Sequence, residues 1–191
     1  SQSVYDPGAG LTEKLFAPRT YKFKSQIDEA KDYVEGKRRA EAIFATKSSL
    51  PVVLVRFPIV LGSDDYTGRL KWHVDRVKNG LPIFLPNPEA RISFIEAGDA
   101  ASFLNFMITS DFQGPINCCS REPMRLRDLL SIIEDATGKQ AHLSTEENDE
   151  KTVSPFGITE DWWMSAKKMN DLGFQTKKII EYLEPLVAKL I

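Results

Sequence analysis

The sequence predicts an α/β fold with a parallel sheet, and two stretches carry that prediction. The first, "DEAKDYVEGKRRAEAIFAT" from Asp28 to Thr46, consists of helix formers and opens on an Asp at the N-cap position. The second, "LPVVLVRFPIVLG" from Leu50 to Gly62, is a near-continuous apolar run rich in Val and Ile and ended by a glycine. Such a run is the mark of a strand covered on both faces of a parallel sheet. A helix leading into a buried strand is half of a βαβ unit.

The remaining elements follow in chain order. "SQSVYDPGAG", Ser1 to Gly10, reads as the end of a strand running into a turn. On the helix after it, Ala30, Tyr33 or Val34, Lys37, Ala40 and Phe44 share one side at three- and four-residue spacing. "YTGRLKWHVDRVKN", residues 66 to 79, is an amphipathic helix stopped by Gly80 and Pro82. "LPIFLP" and "RISFIEA" are short strands, and Gly98-Asp99 opens the helix "DAASFLNFMITS" with Asp99 as its cap. "GPINCC" is a further strand, and Met124 to Gly138 a helix closed by a C-cap glycine. Ser144 to Ser154, "STEENDEKTVS", reads as an exposed acidic connector, and Trp162-Trp163 as aromatic packing under a connector or as the lining of a substrate pocket in the small lobe. The tail predicts two short helices around a Leu172-Gly173-Phe174 turn.

Composition narrows the functional classes. The chain has 191 residues, 42% of them hydrophobic, and a formal net charge of −2. Charged residues, 27% of the total, are mixed in sign, which argues against a nucleic-acid partner. No apolar run approaches the about 20 residues of a membrane helix, and the opening lacks the pattern of a signal peptide. The two cysteines, Cys118 and Cys119, are adjacent, and His73 and His142 lie far apart, so no metal site is expected. The cysteines read as buried filler. A cytoplasmic location is the expectation.

Chemistry points to "DYVEGKRRAE", Asp32 to Glu41. On a helix Tyr33 and Lys37 lie one turn apart on the same face. A cation so placed favours the phenolate form. The phenol can then give a proton to a carbonyl oxygen as hydride arrives, or take one from an alcohol as hydride leaves. A chance pair, with the tyrosine packed and the lysine solvated, is the competing interpretation of those residues alone. Gly36 costs a helix roughly 1 kcal/mol relative to Ala, which suggests that something, a cofactor for example, approaches the backbone there.

The order of motifs resembles one family, the extended short-chain dehydrogenases/reductases or NAD-dependent epimerases/dehydratases. "YVEGKRRAE" is similar to its Tyr-x-x-x-Lys helix and "VVLVRFPIVLG" to the strand that follows. "ISFIEAGDAASF", "GPINCCSREPMRLRDLLSIIEDATGK" and "SAKKMNDLGF" resemble its later segments, in the same order and over essentially the whole chain. The resemblance implies part of a Rossmann-like doubly wound parallel sheet, formed by residues 1–62 and 90–110. It also implies a small C-terminal α/β substrate lobe, from residues 63–89 and 111–191.

It implies roles as well. Tyr33 would be the acid–base residue and Lys37 its electrostatic partner, with both also holding the cofactor, NAD or NADP. "SQSVY" places Ser1 at the catalytic Ser/Thr position, and the backbone of Phe57, Pro58, Ile59 and Val60 would meet the nicotinamide amide. The substrate would be a small carbonyl or alcohol compound, a nucleotide sugar among the candidates. Gln2 and Ser3 stand where dehydratases carry Asp-Glu, which argues against dehydration. Ile92 stands where many members place a substrate-binding Arg; Arg91, one residue away, is a candidate that a one-residue slip turns to the other face. The glycine-rich phosphate loop is not in this sequence, so the chain is expected to be the C-terminal part of a longer enzyme. Alone it is expected to bind dinucleotide poorly and to self-associate through a free sheet edge. A non-catalytic dinucleotide-binding relative, acting as redox sensor or scaffold, is the alternative.

Overall fold

The computed structural model describes residues 1–22, 32–144 and 150–191. Strands β1 (Gly8–Leu11), β2 (Val53–Arg56), β3 (Ile59–Leu61), β4 (Pro82–Phe84) and β5 (Arg91–Ile92) precede β6 (Phe94–Glu96). After these come β7 (Gly114–Asn117), β8 (Met124–Arg125), β9 (His142–Ser144) and β10 (Trp162–Met164). The helices are α1 (Tyr33–Lys47), α2 (Arg69–Asn79), α3 (Ala97–Ile108), α4 (Leu126–Thr137), α5 (Lys167–Asp171) and α6 (Ile179–Leu190). The α/β character is as the sequence predicts, and every strand pair except β5–β8 is parallel.

The described strands form four small sheets rather than one broad one: β1-β10-β5-β8, β2-β7, β3-β6 and β4-β9. The expected single strand from Leu50 to Gly62 is two strands broken at Phe57-Pro58. Pro58 has no N–H to give a ladder, and the carbonyl of Phe57 instead accepts from Gln2 N at 2.8 Å. The chain changes partners at the break, running beside β7 before it and beside β6 after it. A parallel sheet opens a crevice where neighbouring strands part company beyond their carboxyl ends. That is where the residues of interest lie.

Two apolar clusters form the interior. One joins α2, α4 and α6 to β4 and Phe156; the other joins α3, β7 and β10 to Val4, Tyr5 and Phe16. α2 starts later than residue 66 because Gly68 sits at φ +61° and Asp65 Oδ1 binds Thr67 N, shaping a turn ahead of the helix. The predicted helix from Met124 begins two residues later, since Met124 and Arg125 first pair with β5, and Gly138 closes it at φ +67°. The tail folds as two helices around Leu172-Gly173-Phe174, as expected.

Other expectations are corrected. Ser1 to Tyr5 contains a 3-10 turn, Gln2–Val4, instead of a strand end. Glu96, not Asp99, occupies the N-cap of α3; Asp99 lies in the first turn and accepts from Lys177 N at 2.7 Å. Trp162-Trp163 forms β10, a central strand between β1 and β5. The connector is not wholly exposed: Ser154 is buried and Val153 bridges to Phe84, while residues 145–149 lie outside the described residues. The predicted start of α1 from Asp28 also touches residues outside that range, Ala30 among them. The side of α1 shared by Tyr33 or Val34, Lys37, Ala40 and Phe44 faces outward, and the buried residues are Glu41 and Ala42.

Candidate functional site

A cleft of about 410 Å³ opens at the β2–β3 break. Ser1, Gln2 and Ser3 form one wall, and Tyr33 stands at its edge. Phe57, Pro58, Ile59 and Val60 form the floor. Arg69, Ile92, Pro155 and Trp162 close the far side. Ser1, Tyr33 and the Phe57–Val60 segment, far apart in sequence, are thus brought together.

Lys37 sits beside the tyrosine, its Nζ 5.2 Å from the Tyr33 ring centroid. That distance lies within cation–π range, and one helical turn accounts for it. Tyr33 is 59% exposed and its hydroxyl has no hydrogen-bond partner among the described residues. Ser1 Oγ accepts from Ser3 N at 3.3 Å and donates to Ser3 Oγ at 3.2 Å. A Cβ added at Gly36 would meet nothing within 4 Å, so no described part of the chain requires that glycine.

α1 is tied to the cleft by polar pins. Glu41 Oε2 accepts from Arg56 Nη2 at 2.7 Å, and Arg56, at the end of β2, is fully buried. Arg56 Nη1 also donates to the Tyr5 hydroxyl at 2.6 Å, which donates to Asn117 Oδ1 at 2.7 Å. Burial, only partly countered by Arg56, pushes the Tyr5 phenol up to about 12, so it stays a neutral donor. Arg38 Nε donates to Val4 O at 2.7 Å, holding α1 to the first turn. Glu41 and Arg56 were not singled out in the sequence. Their signal there was an apolar strand that ends in an arginine, which demands a buried partner.

Arg91 lies outside the cleft. Its Nε and Nη2 both reach Asp161 Oδ2, at 3.1 and 2.8 Å, and its guanidinium stacks over Trp163. Alternation along a strand explains it: Ile92 and Trp162 are register partners facing the cleft, while Arg91 and Trp163 share the other face. Burial raises the Asp161 carboxyl, but the hydrogen bonds and charge of Arg91 and the Trp163 N–H outweigh it and hold Asp161 below the usual carboxylate range.

The other titratable candidates do not line the cleft. His73 is buried against Phe156 and bonded to Arg69 O and Ser154 Oγ, both at 2.7 Å. Burial brings it down to about 4, so it is neutral. His142 is exposed in β9. Burial pushes Cys119 up to about 12 and Cys118 higher still, so both remain thiols. No group of described residues could hold a metal ion, and no described helix is long and apolar enough to cross a membrane. Two more concavities, of about 400 and 720 Å³, lie away from Tyr33 and Lys37, around the C-terminal end of α1 and around Tyr21 and Arg38.

No family model and no curated protein matches the sequence. Solved structures do match. The UDP-N-acetylglucosamine 4-epimerase of Methanobrevibacter ruminantium is 18% identical at a TM-score of 0.67, over 100% of this chain and 59% of that one. The enzyme of the same name from Bacillus cereus is 18% identical at 0.65, over 100% of this chain and 62% of that one. The Thermus thermophilus UDP-glucose 4-epimerase, solved with NAD, is 17% identical at 0.62, over 83% and 52%. The likeness is one of fold, the Rossmann-type architecture of nucleotide-sugar epimerases and dehydratases. This chain spans little more than half the length of these structures.

Proposed function

We propose that this chain belongs to the extended short-chain dehydrogenases/reductases and carries the proton-transfer part of an NAD(P)-dependent epimerase or reductase. One observation carries the reading: Lys37 stands 5.2 Å over Tyr33 at the edge of a cleft that Ser1 and Phe57–Val60 also line. The donor set fits the nicotinamide end of a dinucleotide, with backbone from Phe57 to Val60 as floor. When bound, the cofactor would accept hydride from a substrate carbinol carbon or return it to the carbonyl carbon.

The chain's own residues handle the proton. Tyr33 as phenolate takes the hydroxyl proton while the alcohol becomes a carbonyl, and as phenol it gives the proton back. Lys37 brings its cation to 5.2 Å from the ring that carries that proton. The Ser1 hydroxyl, once turned from Ser3, donates to the reacting oxygen and stabilises charge building there.

The test is Tyr33→Phe in the protein expressed from its complete reading frame. Hydride transfer is expected to disappear while dinucleotide affinity stays within about threefold, since the ring keeps its packing and only the proton is lost. Turnover within about threefold of the parent would sink the assignment. A second reading, a dinucleotide-binding relative without turnover, is favoured by the Ser1 hydroxyl being engaged with Ser3. It predicts cofactor binding with no turnover on any carbonyl or alcohol substrate.

A further inference from the structure

The cavity of about 400 Å³ beside the C-terminal half of α1 shares no lining residue with the cleft at Tyr33. Phe16, Pro18, Phe44, Leu50, Val52 and Leu54 give it apolar walls. Those walls are held from outside the cavity. Arg56 Nη2 donates to Phe16 O at 3.0 Å, and its guanidinium lies 5.3 Å from the centroid of the Phe16 ring. The same ring meets Tyr21 edge-on, with centroids 5.0 Å apart. On another wall, Lys168 Nζ donates to Pro115 O at 2.9 Å. A cavity whose walls are already fixed gives up little freedom when it is filled.

The mouth is apolar and cationic at once. Phe44 and Leu50 are 59% and 74% exposed, and large apolar groups left in water together mark a surface that binds something. Three cations, Lys14, Arg19 and Lys168, border the cavity against one carboxylate, Glu13. That carboxylate is engaged, since Glu13 Oε1 accepts from Asn117 N at 2.8 Å. Lys14 and Arg19 have no hydrogen-bond or ion-pair partner among the described residues. Apolar walls with unpartnered cations at the rim complement an acid with an apolar body. Its charged head belongs on the side of residues 13–19, because the carbonyl end of α1, at Ala45 and Thr46, repels an anion.

We propose that this cavity is a binding site for an apolar carboxylic acid, its body against Phe16, Phe44 and Leu54 and its carboxylate at Lys14 and Arg19. The site stands apart from the Tyr33 cleft and does not depend on how that cleft is read. It rests on the segment whose carbonyls, Glu13 O and Phe16 O, receive Arg56, so the ligand and the anchor of α1 share one support.

The test is binding of three probes of equal chain length, octanoate, 1-octanol and octylammonium, to the protein expressed from its complete reading frame. Methyl NMR follows Val52 and Leu54, which line the cavity. Octanoate is expected to move both sets of methyl resonances with a Kd below about 5 mM, and to bind at least about fivefold more tightly than either other probe. The double change Lys14→Gln, Arg19→Gln alters two exposed side chains. It should weaken octanoate at least about fivefold while octanol stays within about twofold of the parent. Ala45→Trp, which puts bulk into the cavity, should abolish binding of both. The proposal is overturned if octanoate leaves those methyls unmoved at about 20 mM, as it would were the cavity already covered by a second copy or by another segment of the protein. It is overturned equally if octanol or octylammonium binds as tightly as octanoate, or if the double variant or Ala45→Trp binds octanoate like the parent.

Discussion

Two helices border the cleft and are held in different ways. α2 buries Leu70, His73, Val74 and Val77 in the cluster it shares with α4 and α6. Its apolar residues recur at three- and four-residue spacing, and that stripe faces the core. α1 carries Tyr33 and Lys37 but buries only Glu41 and Ala42, leaving Val34, Ile43 and Phe44 exposed. A salt bridge and hydrogen bonds hold it instead: Glu41 to Arg56, and Arg38 to Val4 O and Asp6. A helix on an apolar stripe can shift by small slides, whereas directional bonds to a buried arginine fix rotation as well as depth. The helix that carries Tyr33 is the one held by directional bonds.

The largest expected effect breaks that anchor. Glu41→Ala leaves the Arg56 guanidinium buried without its carboxylate, at a cost of about 3–5 kcal/mol. Urea unfolding should show it as a lowered midpoint. The double change Glu41→Leu, Arg56→Met removes both charges and should cost clearly less than the single one. Equal losses would mean that α1 is held by something other than the pair.

α2 should answer to acid. His73 is neutral and brought down to about 4 by burial, with the charge of Arg76 adding to the effect. An unfolded histidine titrates near 6.5, so above that pH neither state is protonated and the full stability is present. As pH falls from about 6.5 to 4, the unfolded chain takes up a proton that the folded chain refuses. Stability should drop by about 3 kcal/mol across that window. Stability curves at pH 7, 6 and 5 would reveal it, and His73→Asn should flatten the part above pH 5, where few carboxylates titrate.

The smallest effect concerns the outer face of α1. Phe44→Ser, at a side chain 59% exposed, should change stability by no more than about 0.5 kcal/mol. If that face or the outer edge of β2, which pairs only with β7 among the described strands, mediates self-association, the variant should sediment as a smaller species than the parent. A large loss of stability would mean that α1 rests on its apolar face after all.

Much of the architecture was legible in the residues. Periodicity located α2, α3, α4 and the paired tail helices, and the Val- and Ile-rich run announced a parallel strand. Helical spacing alone placed Lys37 over Tyr33. The departures have specific causes. β10 is three residues long, too short to show any alternation, so Trp162-Trp163 carries no strand signature of its own. The inward side of α1 is hidden in the sequence because its buried residues are a glutamate and an alanine, and the apolar run that holds Arg56 does not say which acid will meet it.

By itself, then, the sequence determined which residues share an element and in what order the elements come. Those properties depend on backbone geometry with periods of 3.6 and 2, which act over a few residues. Only the tertiary structure decided which side of each element is covered, because cover comes from segments distant in the chain. It turned Ile92 and Trp162 toward the cleft and Arg91 away. It closed Glu41 over Arg56, and brought Arg69 to face Tyr33 across a cleft that no stretch of sequence contains.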